Sequence, residues 1–204
     1  MRQEKMVKTK KLTTPIGTSS WCALNEAPDT KFDPQWYCDL IVDTADAEQF
    51  VADAEAFYTE TREHFGASKA TNPLPIKEHV DEEGNKTGKL VIKCKRKASG
   101  IRKDGSTWEN KPPVLFGADL NPFTPEGSIG KGTKLRMSIG MKPYGNPKVG
   151  VTFEIVSAQI IDANYYGDEA SADDFDAVEG TAKTSVPAGA ESFSEVEGGD
   201  SFNF

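Results

Sequence analysis

A mainly β fold, a small antiparallel barrel or sandwich with one α-helix and a disordered acidic tail, is predicted by three features of the 204-residue sequence. Short β-rich runs alternate with clusters of Gly, Pro, Asn and Asp, the spacing of a compact all-β domain. A single stretch, Thr44 to Phe65, carries its apolar residues at helical spacing. After Ile161 the composition changes to Asp, Glu, Ala, Ser and Gly with isolated aromatics, which cannot bury enough apolar surface to offset chain entropy.

Taken in order, strands are predicted near residues 12–24, 35–42, 88–97, 106–117, 133–142 and 149–162. Trp21 and Phe153 are assigned to the core. In the helix, Phe50, Val51, Ala54, Phe57, Thr61 and Phe65 form one face opposite Glu48, Asp53, Glu55, Glu60 and Glu63. Asp43 or Thr44 can cap its start and Gly66 can end it. The segment from Ser68 to Gly88, with Asn72-Pro73, Pro75 and Asp81-Glu82-Glu83-Gly84, reads as a long loop or a small hairpin. Residues 1–162 are expected to form one domain, since about 160 residues suffice for one core but hardly for two. Residues 163–204 are expected to be the tail.

Hydrophobic residues make up 37% of the chain and charged residues 27%, with no apolar run near the ~20 residues a membrane span needs. Met1 to Leu12 is basic but lacks the apolar core of a signal peptide, so a cytoplasmic location is expected, the host cytoplasm if the protein is viral. Cys22, Cys38 and Cys94 are dispersed and set in strand-like runs, as reduced core thiols would be. With only His64 and His79 beside them, no metal-ligand spacing appears. No cofactor is expected.

The net charge of −8 hides a division. Residues 1–161 hold 23 Lys+Arg against 21 Asp+Glu, a net of +2, whereas residues 162–204 hold Lys183 against 11 acids, a net of −10. The body can therefore meet a polyanion although the whole chain is acidic.

In Lys89-Leu-Val-Ile-Lys-Cys-Lys-Arg-Lys97, strand alternation turns Leu90, Ile92 and Cys94 inward and Val91, Lys93, Lys95 and Lys97 outward. Lysines about 7 Å apart match the phosphate spacing of an extended single strand, where they displace counterions. The alternative is a basic strand face that blocks edge pairing. Arg102-Lys103-Asp104-Gly105 then signals a hairpin tip with two further cations. Trp108, on the returning strand, is the first candidate to stack on unpaired bases, with a core position as its alternative. A second strand, Lys131 to Lys142, sets Lys134, Arg136, Ser138 and Lys142 opposite Leu135, Met137, Ile139 and Met141. Tyr144, in a turn flanked by Lys142 and Lys148, is the second stacking candidate. Trp36, Tyr37 and Phe116 are weaker ones.

Enzyme readings find few parts. Gly127-Ser-Ile-Gly-Lys-Gly-Thr133 resembles a phosphate-binding loop, but its spacing departs from G-x-x-x-x-G-K-[ST] and a strand-like run follows it. There is no nucleophile-elbow motif. No catalytic residue is assigned, although scattered carboxylates leave a metal-dependent nuclease as one alternative, beside an adaptor that works through its tail alone. The tail ends Glu195-Val-Glu-Gly-Gly-Asp-Ser-Phe-Asn-Phe204, and its Asp200, Phe202 and Phe204 have the form of a docking peptide: an aromatic for an apolar pocket with acids for a basic rim.

With the strand-rich body, the helix after the second strand, lysine-bearing strands interleaved with aromatics, and the acidic tail closing on Phe204, the chain resembles the single-stranded DNA-binding proteins of tailed bacteriophages. The likeness is greatest to the short-tailed-phage type with one OB-fold. It implies an OB-fold-like antiparallel barrel that coats single-stranded DNA during replication, recombination and repair. It implies a tail that contacts replication or recombination proteins and competes for the groove, and it leaves a homodimer open. On that resemblance the groove role falls to Lys93, Lys95, Lys97, Trp108, Arg136 and Tyr144, and the docking role to Phe204 and its acidic neighbours. The helix position departs from the commoner OB order, which places it after the third strand.

Overall fold

A computed structural model describes residues 8–28, 34–66, 73–145 and 148–166. Its elements are β1 (Lys10–Thr13), β2 (Gly17–Ala23), β3 (Gln35–Asp43), α1 (Thr44–Phe65), β4 (Ile76–Val80), β5 (Lys86–Lys97), β6 (Ser99–Ile101), β7 (Thr107–Glu109), β8 (Val114–Phe116), β9 (Lys134–Tyr144) and β10 (Gly150–Asp162).

Five strands close a barrel in the cyclic order β2-β3-β5-β10-β9, the last pairing back onto β2. All neighbours are antiparallel except β5 and β10, which run parallel. This is the OB-fold arrangement. The long ladders β3–β5 and β9–β10 supply most of the wall. At the parallel seam only Glu154 and Lys95 are in register. Irregularities in β10 between Ile155 and Ser157 and between Ile160 and Asp162 bend that strand, as bulges do, so that it reaches β9, β5 and β8. The core fills the inside of the barrel with Cys22, Leu40, Ile92, Leu135, Met137, Ile139, Met141, Phe153 and Ile155, all nearly without exposure.

The helix spans the expected residues and follows the second barrel strand. It touches strands on opposite sides of the barrel, β3 and β5 as well as β9 and β10, and therefore covers an end of it. Ala47, Phe50, Ala54, Phe57 and Thr61 are buried, and Phe50 meets Phe153 edge to face at 5.6 Å. Thr61 satisfies its buried hydroxyl by donating to the Phe57 carbonyl at 2.8 Å. Asp43 takes the N-cap position, but its side chain makes no capping bond; its carboxylate faces Lys89 at 3.4 Å instead. Thr44 Oγ1 donates to the Gly88 carbonyl at 2.6 Å. Gly66 ends the helix at φ +83°, its amide bonded to the Arg62 carbonyl. Phe65, expected in the core, is 46% exposed; it lies on Gly145, where a Cβ would come within 2.5 Å of its ring.

Prolines account for most departures from the expected strands. Residues 12–24 divide at Pro15, which has no amide to give a ladder, so β1 pairs with β9 while β2 joins β3. Pro112 and Pro113 likewise divide residues 106–117 into β7 and β8. The segment before β5 is the small hairpin of β4 and β5. The Asp81 carboxylate organises its turn by accepting from the amides of Asn85 at 2.7 Å and Glu83 at 3.1 Å. These bonds hold the Asp81 carboxyl below its ordinary range. The body also continues past Asp162: Asn164 accepts from Gly130 N–H and Thr133 Oγ1, and Tyr166 donates its hydroxyl to the Cys22 carbonyl at 3.2 Å. Residues 167–204, which include Asp200, Phe202 and Phe204, lie outside the described residues. Among the described residues no helix is long and apolar enough to cross a membrane.

The three cysteines stand side by side on β2, β3 and β5, Cys22 opposite Cys38 and Cys38 opposite Cys94, all buried. The hydrogen bond with Cys22, then burial, raises the Cys38 thiol well above its ordinary value. Burial raises that of Cys94. Raised values hold Cys38 and Cys94 in the thiol form, whereas the thiolate is the reactive one, and burial keeps reagents from all three. We expect an aromatic disulfide reagent to modify none of these thiols in the native protein and all of them after denaturation; rapid native labelling would contradict this packing.

Candidate nucleic-acid interface

Along β3 and β5 a single alternation sets both core and surface. Trp36, Cys38, Leu40 and Val42 point into the barrel, leaving Gln35, Tyr37, Asp39 and Ile41 outside. Opposite them Ile92 and Cys94 are buried while Lys93, Lys95 and Lys97 are exposed. The register pairs Gln35 with Lys97, Tyr37 with Lys95 and Asp39 with Lys93. Three lysines thus run along one strand with a phenol and a carboxylate on the next.

Trp21 joins this face from β2. A register shift between Ser19 and Trp21 inserts one extra residue, so Ser19 and Cys22 are both buried and Trp21 is turned out, 61% exposed. Its expected core position is thereby corrected. The indole stacks on Tyr37 with centroids 6.1 Å apart and planes 16° from parallel. Burial, followed by the neighbouring Tyr166, raises the Tyr37 phenol above its ordinary value, which keeps it neutral.

These residues line two adjoining depressions that share Lys95, Tyr144 and Thr152. The first, about 510 Å³, runs from Trp21 and Tyr37 past Asp39 and Lys93 to Lys77 on β4. The second, about 360 Å³, continues past Lys97 to Trp108, Asn110, Lys142 and Glu154. Together they form a groove across β2, β3, β5 and the β5–β10 seam. Tyr144 is 42% exposed within it. Trp108 is half-buried at its end, lying on Gly100 so closely that a Cβ there would be 2.6 Å from the ring.

Two carboxylates temper the charge. Asp39 pairs with Lys93, and Glu154 pairs with Lys142 and stands 3.9 Å from Arg96. Lys95, between them, has no ion-pair partner among the described residues. Arg96 faces inward opposite Trp36 and donates to the Ile155 carbonyl at 3.2 Å across the seam.

The structure therefore brings together Lys93, Lys95, Lys97, Trp108, Lys142 and Tyr144 from the expected set. Arg102 and Lys103 stand at the tip of the β6–β7 hairpin beyond the groove. Lys89 and Lys134 line a separate hollow with Ile16 and His79. Arg136 is bonded to Gln159 at 2.7 Å, and Gln159 in turn to the carbonyls of Gly117 and Ala118. From β9 only the last residues, Lys142, Pro143 and Tyr144, line the groove. Trp36 is buried and Phe116 belongs to the β8 side. Trp21 and Gln35 were not anticipated in the groove, which Leu74, Pro75 and Lys77 border from the 68–88 segment as that segment could be expected to do; counting alternation backward from buried Leu24 and Cys22 would have turned Trp21 outward.

The 127–133 segment is not a phosphate loop. Three of its amides are engaged, Ile129 with Asn25 Oδ1, Gly130 with the Asn164 carbonyl and Gly132 with the Ser19 carbonyl, and it leads into β9 instead of a helix. Among the described residues no three His, Cys, Asp or Glu side chains are grouped to hold a metal ion.

No family model matches the chain, and no curated protein sequence matches it. Solved structures do share its fold. The single-stranded DNA-binding protein gp2.5 of bacteriophage T7 superposes with a TM-score of 0.56 at 19% identity, covering 84% of this chain and 100% of that one. The single-stranded DNA-binding protein of bacteriophage Enc34, in complex with single-stranded DNA, gives 0.57 at 13% identity over 76% of this chain and 87% of its own. The fold expected from the residue pattern is thus one that phage single-stranded DNA-binding proteins adopt.

Of the three tryptophans Trp21 is exposed, Trp108 half-buried and Trp36 buried, so their emission should separate. Trp21→Phe is expected to remove the largest share of the acrylamide-quenchable fluorescence, Trp108→Phe a smaller one, and Trp21→Phe should leave unfolding by urea nearly unchanged; a large loss of stability would mean that the Trp21 indole is core.

Proposed function

We propose that the protein coats single-stranded DNA, binding it in the groove with little sequence preference and protecting it during replication, recombination or repair. The observation that carries this reading is the stacked Trp21–Tyr37 pair set directly beside the outward lysines of β5. Aromatic faces stack on any base and cations track the backbone, which is the chemistry of sequence-tolerant single-strand binding. The shared fold supports it, since one protein of that fold is described in complex with single-stranded DNA. Action is by occupancy: DNA held in the groove is shielded from pairing and from nucleases.

Titration of labelled single- and double-stranded oligonucleotides, with and without magnesium, tests the proposal. Tight, salt-sensitive binding of the single strand without cleavage is expected. Trp21→Ala should weaken it by about 1–3 kcal/mol, and Lys95→Ala should lower the slope of log K against log salt by about 0.7. Negligible affinity would favour an adaptor working through the tail, and magnesium-dependent cleavage a nuclease.

A regulatory role for the tail belongs to the same reading. Residues 167–204 carry ten Asp+Glu and one lysine, and the last described residue, Tyr166, lies beside Trp21 and Tyr37. The described body thus ends next to the aromatic end of the groove; in this reading the anionic residues that follow compete for the lysines when DNA is absent and are released to replication or recombination proteins when DNA binds. Deleting residues 167–204 should tighten oligonucleotide binding at low salt, with the difference shrinking as salt rises. Equal or weaker binding by the truncated chain at low salt would refute the competition.

A further inference from the structure

The β6–β7 hairpin forms a two-stranded sheet of its own, outside the barrel. It follows β5 directly in the chain, after a bend at Ala98. Its base is fastened: the Ala98 amide donates to the Pro34 carbonyl at 2.8 Å, the Asn110 amide to the Ala98 carbonyl at 2.7 Å, and Asn110 Nδ2 to the Lys97 carbonyl at 2.9 Å. Trp108 packs on Gly100 midway along it.

The tip is equally tied. Arg102 N–H donates to the Ser106 carbonyl and Gly105 N–H to the Arg102 carbonyl, with Gly105 at φ +85°. The Asp104 carboxylate accepts from Ser106 Oγ at 2.7 Å and its amide at 3.0 Å, bonds that lower the Asp104 carboxyl below its ordinary range. Arg102 spans the turn to Ser106 Oγ and the Thr107 carbonyl. On this braced arm Ile101 is 76% exposed, more than the other large apolar residues described. Arg102 and Lys103 follow it directly.

An apolar side chain held out on a stiff β-arm with cations alongside has the chemistry of a wedge entering a base stack. The groove lysines lead along β5 to the base of that arm. We propose that the hairpin engages the junction at which a strand lying in the groove enters a duplex, Ile101 pressing against the terminal base pair while Arg102 and Lys103 take the flanking phosphates. The proposal rests on the single-strand-binding reading and adds a second substrate to it, the single-strand/duplex junction.

The full chain can be tested with two probes: a plain oligonucleotide of about 30 nucleotides, which exceeds one OB-fold site, and a hairpin duplex with a single-stranded tail carrying 2-aminopurine at the first paired position. Saturating wild-type protein should raise the 2-aminopurine emission. Ile101→Ala should cut that rise about fivefold or more while keeping affinity for the plain strand within about twofold, and Ile101→Leu should restore it. An unchanged junction signal with Ile101→Ala would overturn the wedge and leave the coating function standing. Equal loss on both probes would make Ile101 part of the groove and overturn it too. Failure of the wild-type protein to bind the plain strand would instead remove the underlying reading.

Discussion

The register between β3 and β5 runs without a slip from Gln35 opposite Lys97 to Asp43 opposite Lys89, and both faces of the barrel wall follow from it. A slip of β5 by one residue would turn Ile92 and Cys94 to water and drive Lys93 and Lys95 into the core. Burying unpaired ammonium groups is far costlier than any gain in pairing. The apolar side chains inside thus fix, through the pleat, where the lysines stand outside. Packing determines the geometry of a surface that packing never touches.

That surface is not uniformly basic. Asp39 and Glu154 lie among the lysines and pair with two of them. The lysine side chains in both pairs are about half exposed but their carboxylates only about a fifth, so a phosphate that takes over a lysine leaves a partly buried carboxylate unpaired. The carboxylates thus limit where the ammonium groups wander and set a cost on anion binding at Lys93 and Lys142. Lys95 stands between the two pairs on the line that joins both halves of the groove.

Local periodicity reported well on whatever depends on a strand or helix alone. The helix from Thr44 to Phe65 and the inward and outward residues of β5 and β9 were legible because burial imposes their repeat. Part of what escaped depends on partners distant in sequence. Trp21 alternates correctly with Cys22 and Leu24, but one inserted residue breaks the alternation toward Ser19 without leaving a glycine or proline as a mark. Lys134 and Arg136 alternate as cleanly as Lys93 and Lys95, yet alternation says only that a side chain points out of a barrel, not toward which side. The packing of Asn164 and Tyr166 was hidden by the tail-like composition that follows them.

Where β5 meets β10 the wall is joined by a single matched pair, Glu154 with Lys95, against two where β9 meets β2, and the groove passes over the sparser joint. That joint is a clasp in the cuff of the wall, with the long ladders β3–β5 and β9–β10 on either side of it. A ligand gripping Lys95 and Lys97 on one side and Lys142 and Thr152 on the other would act as a splint across the gap. By reciprocity, any change that stiffens the clasp would also tighten the hold on what lies over it.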